Sequence, residues 1–117
     1  MFGVRGWCFT GKNLKTIKTM IIHNAIADLA SAQHPVMQTL HEGDNFKALV
    51  LTFREGMTIK EHKSNVPATI VVVSGKINYH NATTTVTLEK YDNLSIIPEE
   101  LHAVTALEDS VCLLLKG

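Results

Sequence analysis

The sequence predicts an all-β domain preceded by a short N-terminal helix or irregular arm. Three observations carry this. From Val36 onward, short runs rich in β-branched residues follow one another along the chain. Gly-Asp, Glu-Gly, Ser-Gly, Asn-Ala, Tyr-Asp-Asn and Glu-Asp breaks separate them, the composition expected of turns. Between the runs there is no helical stretch long enough to serve as the crossover of a parallel sheet, so the strands must pair antiparallel, as a sandwich or barrel.

Taken in order, residues 21–32 place Ile21, Ile22, Ala25, Ile26 and Leu29 on one helical stripe, which predicts a short helix. Nine strands are then expected at Val36–Leu40, Phe46–Arg54, Met57–Glu61, Thr69–Val73, Lys76–His80, Thr84–Leu88, Leu94–Ile97, His102–Leu107 and Val111–Lys116. The organisation read from this is an arm over residues 1–34 and one domain over residues 35–117. No internal repeat, low-complexity tract or interdomain linker interrupts it.

Composition narrows the function classes. A chain of 117 residues suffices for one core without disulfides or a structural metal. Lysine plus arginine equals aspartate plus glutamate at 11 each, which provides no long-range attraction for nucleic acid or an anionic membrane. The first 20 residues carry Arg5, Lys12, Lys15 and Lys18 and no acid, which leaves the remainder at a net charge of −4. This basic stub reads as a frayed terminus or as sequence ahead of a start at Met20, in preference to a binding arm. Cys8 and Cys112 lie outside any Cys-x-x-Cys spacing, and Cys112, in an apolar run, is expected to be a buried thiol in a reducing compartment. No secretory signal and no apolar run of about 18 residues is seen, so the expected location is cytoplasmic.

The most informative stretch is Gly56–Gly75, GMTIKEHKSNVPATIVVVSG. A glycine turn leads through five residues to His62; Ser64 holds the next same-face position, and an apolar run ends at Ser74-Gly75. A second stretch, Tyr91–Ala106, reads YDNLSIIPEELHAVTA. Together these resemble the two motifs of the cupin superfamily, in particular its small single-domain members, over roughly residues 35–117. In the first motif His62 fills one histidine slot, Ser64 stands in the other, and Ala68, or Thr69 if the loop is one residue longer, stands in the glutamate slot. In the second, Asp92 and Glu100 replace glycines, Pro98 keeps the proline slot, His102 comes one residue early, and Ala106 replaces asparagine.

The resemblance implies a cupin-type antiparallel jelly-roll barrel with a pocket at its mouth, and in typical members a metal held by three histidines and a glutamate. Carried over, only His62 and His102 remain as ligands. A cofactor, if there is one, is then a weakly held divalent metal, and a third donor would come from outside the family's slots, from Glu100, Glu61, His41 or His80. The expected pocket residues are His62, Ser64, Thr69 and His102. Each has a plainer reading: the two histidines as barrel-mouth groups bonded to each other or to water, and the hydroxyls of Ser64 and Thr69 as partners for loop backbone. Gly56 and Gly75 are read as turn devices with positive φ, and Tyr79 as core or pocket wall.

Three functions fit: a small-molecule-binding cupin without a complete metal site, a metal-dependent dioxygenase or isomerase built on two histidines, and a structural, dimerising module. The missing ligands favour the first and third. The expected partners are an unidentified small molecule and a second copy of the chain in a homodimer, with neither nucleic acid nor membrane.

Overall fold

The computed structural model describes residues 18–117, and the side chains of all of these except Glu61 and His62. The expectations for the basic segment through Arg5, Lys12 and Lys15, and for Cys8, lie outside this range. One helix, α1 (Ile21–Leu29), precedes nine strands: β1 (Val36–Glu42), β2 (Lys47–Phe53), β3 (Thr58–His62), β4 (Ala68–Ser74), β5 (Lys76–Asn81), β6 (Thr85–Glu89), β7 (Asn93–Ile96), β8 (His102–Ala106) and β9 (Ser110–Lys116). Each strand falls where the β-branched runs placed it, within one or two residues at its ends, and the helix ends three residues before the expected 32.

The strands form two antiparallel sheets, ordered β1-β2-β9-β4-β7 and β3-β8-β5-β6. Among the described residues the ladders stay within each sheet, so strand pairing does not close them into one barrel. What joins the sheets is a shared core. Leu51, Phe53, Ile70, Val72 and Cys112 of the first sheet pack against Ile77, Tyr79, Leu88, Val104 and Ala106 of the second. The period of two accounts for this directly: in β4, Ala68, Ile70 and Val72 are buried, while Thr69 and Val71 on the other face are only half-buried. At Cys112, burial pushes the thiol up to about 12, as expected of an inert core thiol.

Strand β2 departs from the alternation, since all its residues from Ala48 to Phe53 are buried. Its second face is covered by α1. The Thr52 hydroxyl donates to the Ala25 carbonyl at 3.2 Å. The Arg54 guanidinium donates to the carbonyls of Leu29 and Ala32, where a helix end leaves carbonyls without intrahelical partners. The helix has no side-chain cap at its start, so this clamp at its other end carries much of its docking. Only Ala25 and Leu29 of the expected stripe are fully buried; Ile21 and Ile22 are half-buried and Ile26 is 44% exposed. A nine-residue helix lying across two strands covers a narrower band than its apolar face offers.

Gly56 and Gly75 adopt φ of 88° and 89°, the left-handed region. Their surroundings differ. A Cβ on Gly56 would meet nothing within 4 Å, whereas one on Gly75 would overlap the Ser110 hydroxyl and the Asp109 carbonyl. Gly56→Ala should therefore cost only the backbone penalty, about 1 kcal/mol, and Gly75→Ala roughly 3 kcal/mol or more, because backbone must also move. Urea unfolding of the two variants measures the difference, and equal losses would show that the β4–β5 turn is not held against β9 as described.

Candidate functional site

Polar groups removed from water must find partners, and each one in a small core calls for a reason. Three polar residues are buried among the described ones: Thr52, His102 and Ser110. Thr52 docks the helix. Ser110 stitches the turn before β9 to β5, accepting the Lys76 N–H at 3.0 Å and lying 2.8 Å from the Glu108 carbonyl. The third, His102, lies on the other sheet.

His102 opens β8 on the same face as Val104 and Ala106, and is 3% exposed. Its Nδ1 lies 2.9 Å from the Glu100 carbonyl oxygen. A carbonyl only accepts, so Nδ1 carries a proton and donates it in this bond. The ring stacks on Tyr79 of β5, centroids 5.4 Å apart and planes 23° from parallel. The Tyr79 hydroxyl in turn donates to Glu100 Oε1 at 2.7 Å. Burial, then the hydrogen bond to Glu100 and its charge, hold the Tyr79 phenol well above its ordinary range. Tyr79, Glu100 and His102 thus form one connected cluster on the core side of the four-stranded sheet.

Loop geometry presents this cluster. Residues 97–101 cross from β7 in one sheet to β8 in the other, and the Glu99 N–H donates to the Ser64 carbonyl at 2.8 Å, tying this loop to the one after β3. Glu99 sits at φ 68°, a conformation unusual for a residue with a side chain. The turn it makes lets the Glu100 carbonyl reach His102 while the Glu100 carboxylate reaches Tyr79.

The residues expected at the site separate. In the β3–β8 ladder His62 is the direct partner of His102, after a register shift between Ile59 and His62. Ser64 is committed to its own loop, donating to the Val66 carbonyl at 3.0 Å. Ala68, 7% exposed in the core-facing position of β4, has no donor atom. Thr69 pairs with Ser95 and Leu115 and lies on the opposite face of β4 from Ala68 and Ile70, beside a recess of about 320 Å³. The strand's period of two puts it away from His102. Sequence reasoning has Tyr79 only as core or pocket wall and Glu100 only as one of four outside donors; the structure joins both to His102.

Among the described residues no group of three or more His, Cys, Asp or Glu is placed to hold a metal ion. With the Ser64 hydroxyl engaged in its loop and no donor at Ala68, the described residues do not fit the four-ligand centre that the sequence motifs imply. The other histidines lie elsewhere: His23 and His34 are exposed, His41 tilts against Phe46 at 6.4 Å, and His80 lies between the Thr85 and Thr105 hydroxyls at 3.3 and 3.4 Å. A separate recess of about 380 Å³ lies where α1 meets the five-stranded sheet, lined by Ile26, Leu29, Phe53, Arg54 and Asp109 among others. No described helix is long and apolar enough to cross a membrane.

The Tyr79 phenol yields a pH prediction. An acid whose pKa is raised on folding leaves the native state holding a proton that the unfolded chain has lost. Its contribution is therefore intact below the unfolded value of about 10 and disappears as pH rises above it. Unfolding midpoints should fall steeply above about pH 10, and less steeply in Tyr79→Phe. Absorbance titration of the phenols should show the late-ionising one vanish in the same variant; an unchanged titration curve would remove Tyr79 from the cluster.

No family model matches the chain, and no curated protein matches it in sequence. Solved structures do. A cupin superfamily protein from Desulfitobacterium hafniense superposes with a TM-score of 0.69 at 17% identity, covering 90% of this chain and 94% of that one. An RmlC-like cupin from Desulfovibrio desulfuricans gives 0.68 at 21% identity, covering 94% and 96%. An RmlC-like cupin from Shewanella frigidimarina gives 0.68 at 15% identity, covering 74% and 78%. The two antiparallel sheets, their shared core and these superpositions together show that the chain has the fold of a small cupin domain.

Proposed function

We propose that the protein binds a small molecule between its two sheets, at the end where Tyr79, Glu100 and His102 meet, and does so without a complete four-ligand metal centre. On this reading the sheets are the two walls of a jelly-roll barrel, and the loops of residues 63–67 and 97–101 form its rim. One observation carries the proposal: Tyr79, Glu100 and His102 form one linked polar cluster beside the shared core, with His102 only 3% exposed. A titratable ring so deeply buried, with Nδ1 donating to a backbone carbonyl, is a costly feature in an apolar core. Ligand sites commonly combine apolar walls with a few oriented polar groups, and this cluster has that character. His62 is the ladder partner of His102; on this reading Ser64 and Thr69 do not belong to the set.

Fragment binding read from the Tyr79 and His102 ring resonances tests the proposal. Fragments that shift both rings in the wild type, and lose that effect in His102→Gln, are the expected result. Fragments that gather only in the recess beside Arg54 would overturn it. The metal half has its own measurement. Elemental analysis of protein purified without chelator or nickel resin should give well under one metal per chain. Ser64→His combined with Ala68→Glu should raise divalent-metal affinity by orders of magnitude, by restoring donors of the types that hold such ions. A double variant that binds metal no better than wild type would sink the slot assignment.

We also propose a two-fold homodimer. On the outer face of the five-stranded sheet Val71 pairs with Leu113 and Thr69 with Leu115, all half-buried, while Val73 and Ile26 are exposed at 36% and 44%. A second copy covering this apolar surface would remove it from water. Light scattering should give twice the 12.9 kDa chain mass at micromolar concentration; the monomer alone would count against it.

A further inference from the structure

The cluster around His102 has a charge character of its own, and it bears on what the site accepts. Glu100 is half-buried, on the loop leading into β8. One carboxylate oxygen, Oε1, takes the Tyr79 hydroxyl at 2.7 Å, and among the described residues none donates to the other. No described lysine or arginine forms an ion pair with it; the ion pairs present join Lys47 to Glu42 and Lys76 to Glu89 and Glu108. The tyrosine remains a donor, because its phenol is held protonated by burial first and by Glu100 second. The bond therefore fixes the carboxylate in place without neutralising it.

Beside it, His102 Nδ1 donates to the Glu100 carbonyl at 2.9 Å. The neighbouring core side chains are apolar or aromatic: Tyr79 and Val104 are buried, and Ile59, the ladder partner of Val104, packs against the same core. Glu100 thus presents a carboxylate oxygen to which no described lysine or arginine is paired. A buried or partly buried carboxylate in that setting strongly favours a cation or donor and repels an anion.

Resting on the pocket reading above, we propose that Glu100, held by Tyr79, is the specificity-determining residue of this site and selects amine- or hydroxyl-bearing small molecules over carboxylates and phosphates. Tyr79 is its positioning residue. The ligand's donor meets the Glu100 carboxylate, and its apolar part lies against the Tyr79–His102 stack.

Three probes of one shape test this: benzylamine, benzyl alcohol and benzoate, each titrated into the wild-type chain while the Tyr79 and His102 ring resonances are followed. Benzylamine and benzyl alcohol should shift both rings, with benzoate weaker by about tenfold or more, the scale of a hydrogen bond to a charged group. Glu100→Gln, checked for folding by its thermal melt, should narrow the gap between benzylamine and benzoate to about twofold. Tyr79→Phe should retain binding and reduce the gap in part, since the carboxylate remains but is no longer held. The wild-type ordering tests the proposal without any variant. Benzoate binding as well as benzylamine would overturn the selectivity and leave the pocket standing, as would a gap that persists in folded Glu100→Gln. If none of the three moves either ring at saturating concentration, the pocket and the selectivity both fall.

Discussion

The five-stranded sheet depends on its last strand. β9 lies between β2 and β4, and its residues pair on both sides, so the segment nearest the C-terminus joins the start of the domain to its middle. Nothing local substitutes for it: without β9, β1-β2 and β4-β7 are separate two-stranded ribbons, which are marginal in water. Such pairings close long loops before they gain contacts, so this arrangement is slow to form and cooperative once formed. It also explains why the turn before β9 is so well tied. Ser110 bonds to Lys76 across the interior end of β5, the Glu55 N–H donates to Asp109 Oδ1 at 2.8 Å, and Gly75 leaves the room that the Ser110 backbone occupies.

That tying is confined to one end of the molecule. The chain passes between the sheets at the turns holding Gly56, Gly75 and residues 107–109, all linked by backbone hydrogen bonds, such as the Gly56 N–H to the Ala106 carbonyl and the Leu107 N–H to the Lys76 carbonyl. At the other end the crossings are longer, over residues 63–67 and 97–101, and the Glu99–Ser64 bond links them. Tight, strain-tolerant turns hold the fold at one end; longer loops carry polar side chains at the other. Loops on a rigid scaffold are where binding groups concentrate, since the scaffold supplies the position and the loop supplies the chemistry. His102 stands at the junction of the two, on the first residue of a strand.

Much of the fold was legible because its signals are local. Runs of β-branched residues, glycines where φ turns positive and an apolar stripe of helical period each act over a few residues, and nine strands and one helix appear where these signals lie. The site was less legible because its relations are not local. Motif spacing points to slots along one strand and cannot see that Tyr79, on β5, stacks on His102 from β8. Spacing also treats Glu100 as a lost glycine, when its carboxylate and carbonyl make the two bonds that organise the cluster. The ambiguity between Ala68 and Thr69 shows the limit well. A loop one residue longer or shorter flips every side chain of the following strand to the other face. Only the register of β4 against β7 and β9 decides that Ala68 is inside and Thr69 outside.

The bond between His102 Nδ1 and a backbone carbonyl is the kind that orients metal-bound imidazoles, since it fixes the tautomer and leaves the other nitrogen to coordinate. The same bond serves equally well to fix the ring's orientation without an ion. What separates the two uses is the company the ring keeps. An ion needs several donors converging within about 2.2 Å of it, whereas the nearby hydroxyl of Ser64 is turned to its own loop and Ala68 offers none. The carboxylate that does stand beside the ring comes from the loop before β8, and one of its oxygens already accepts from a buried tyrosine. The Tyr79 bond leaves the other oxygen for a ligand's donor or an ion alike. What the described residues do not bring together is the set of further donors that an ion requires.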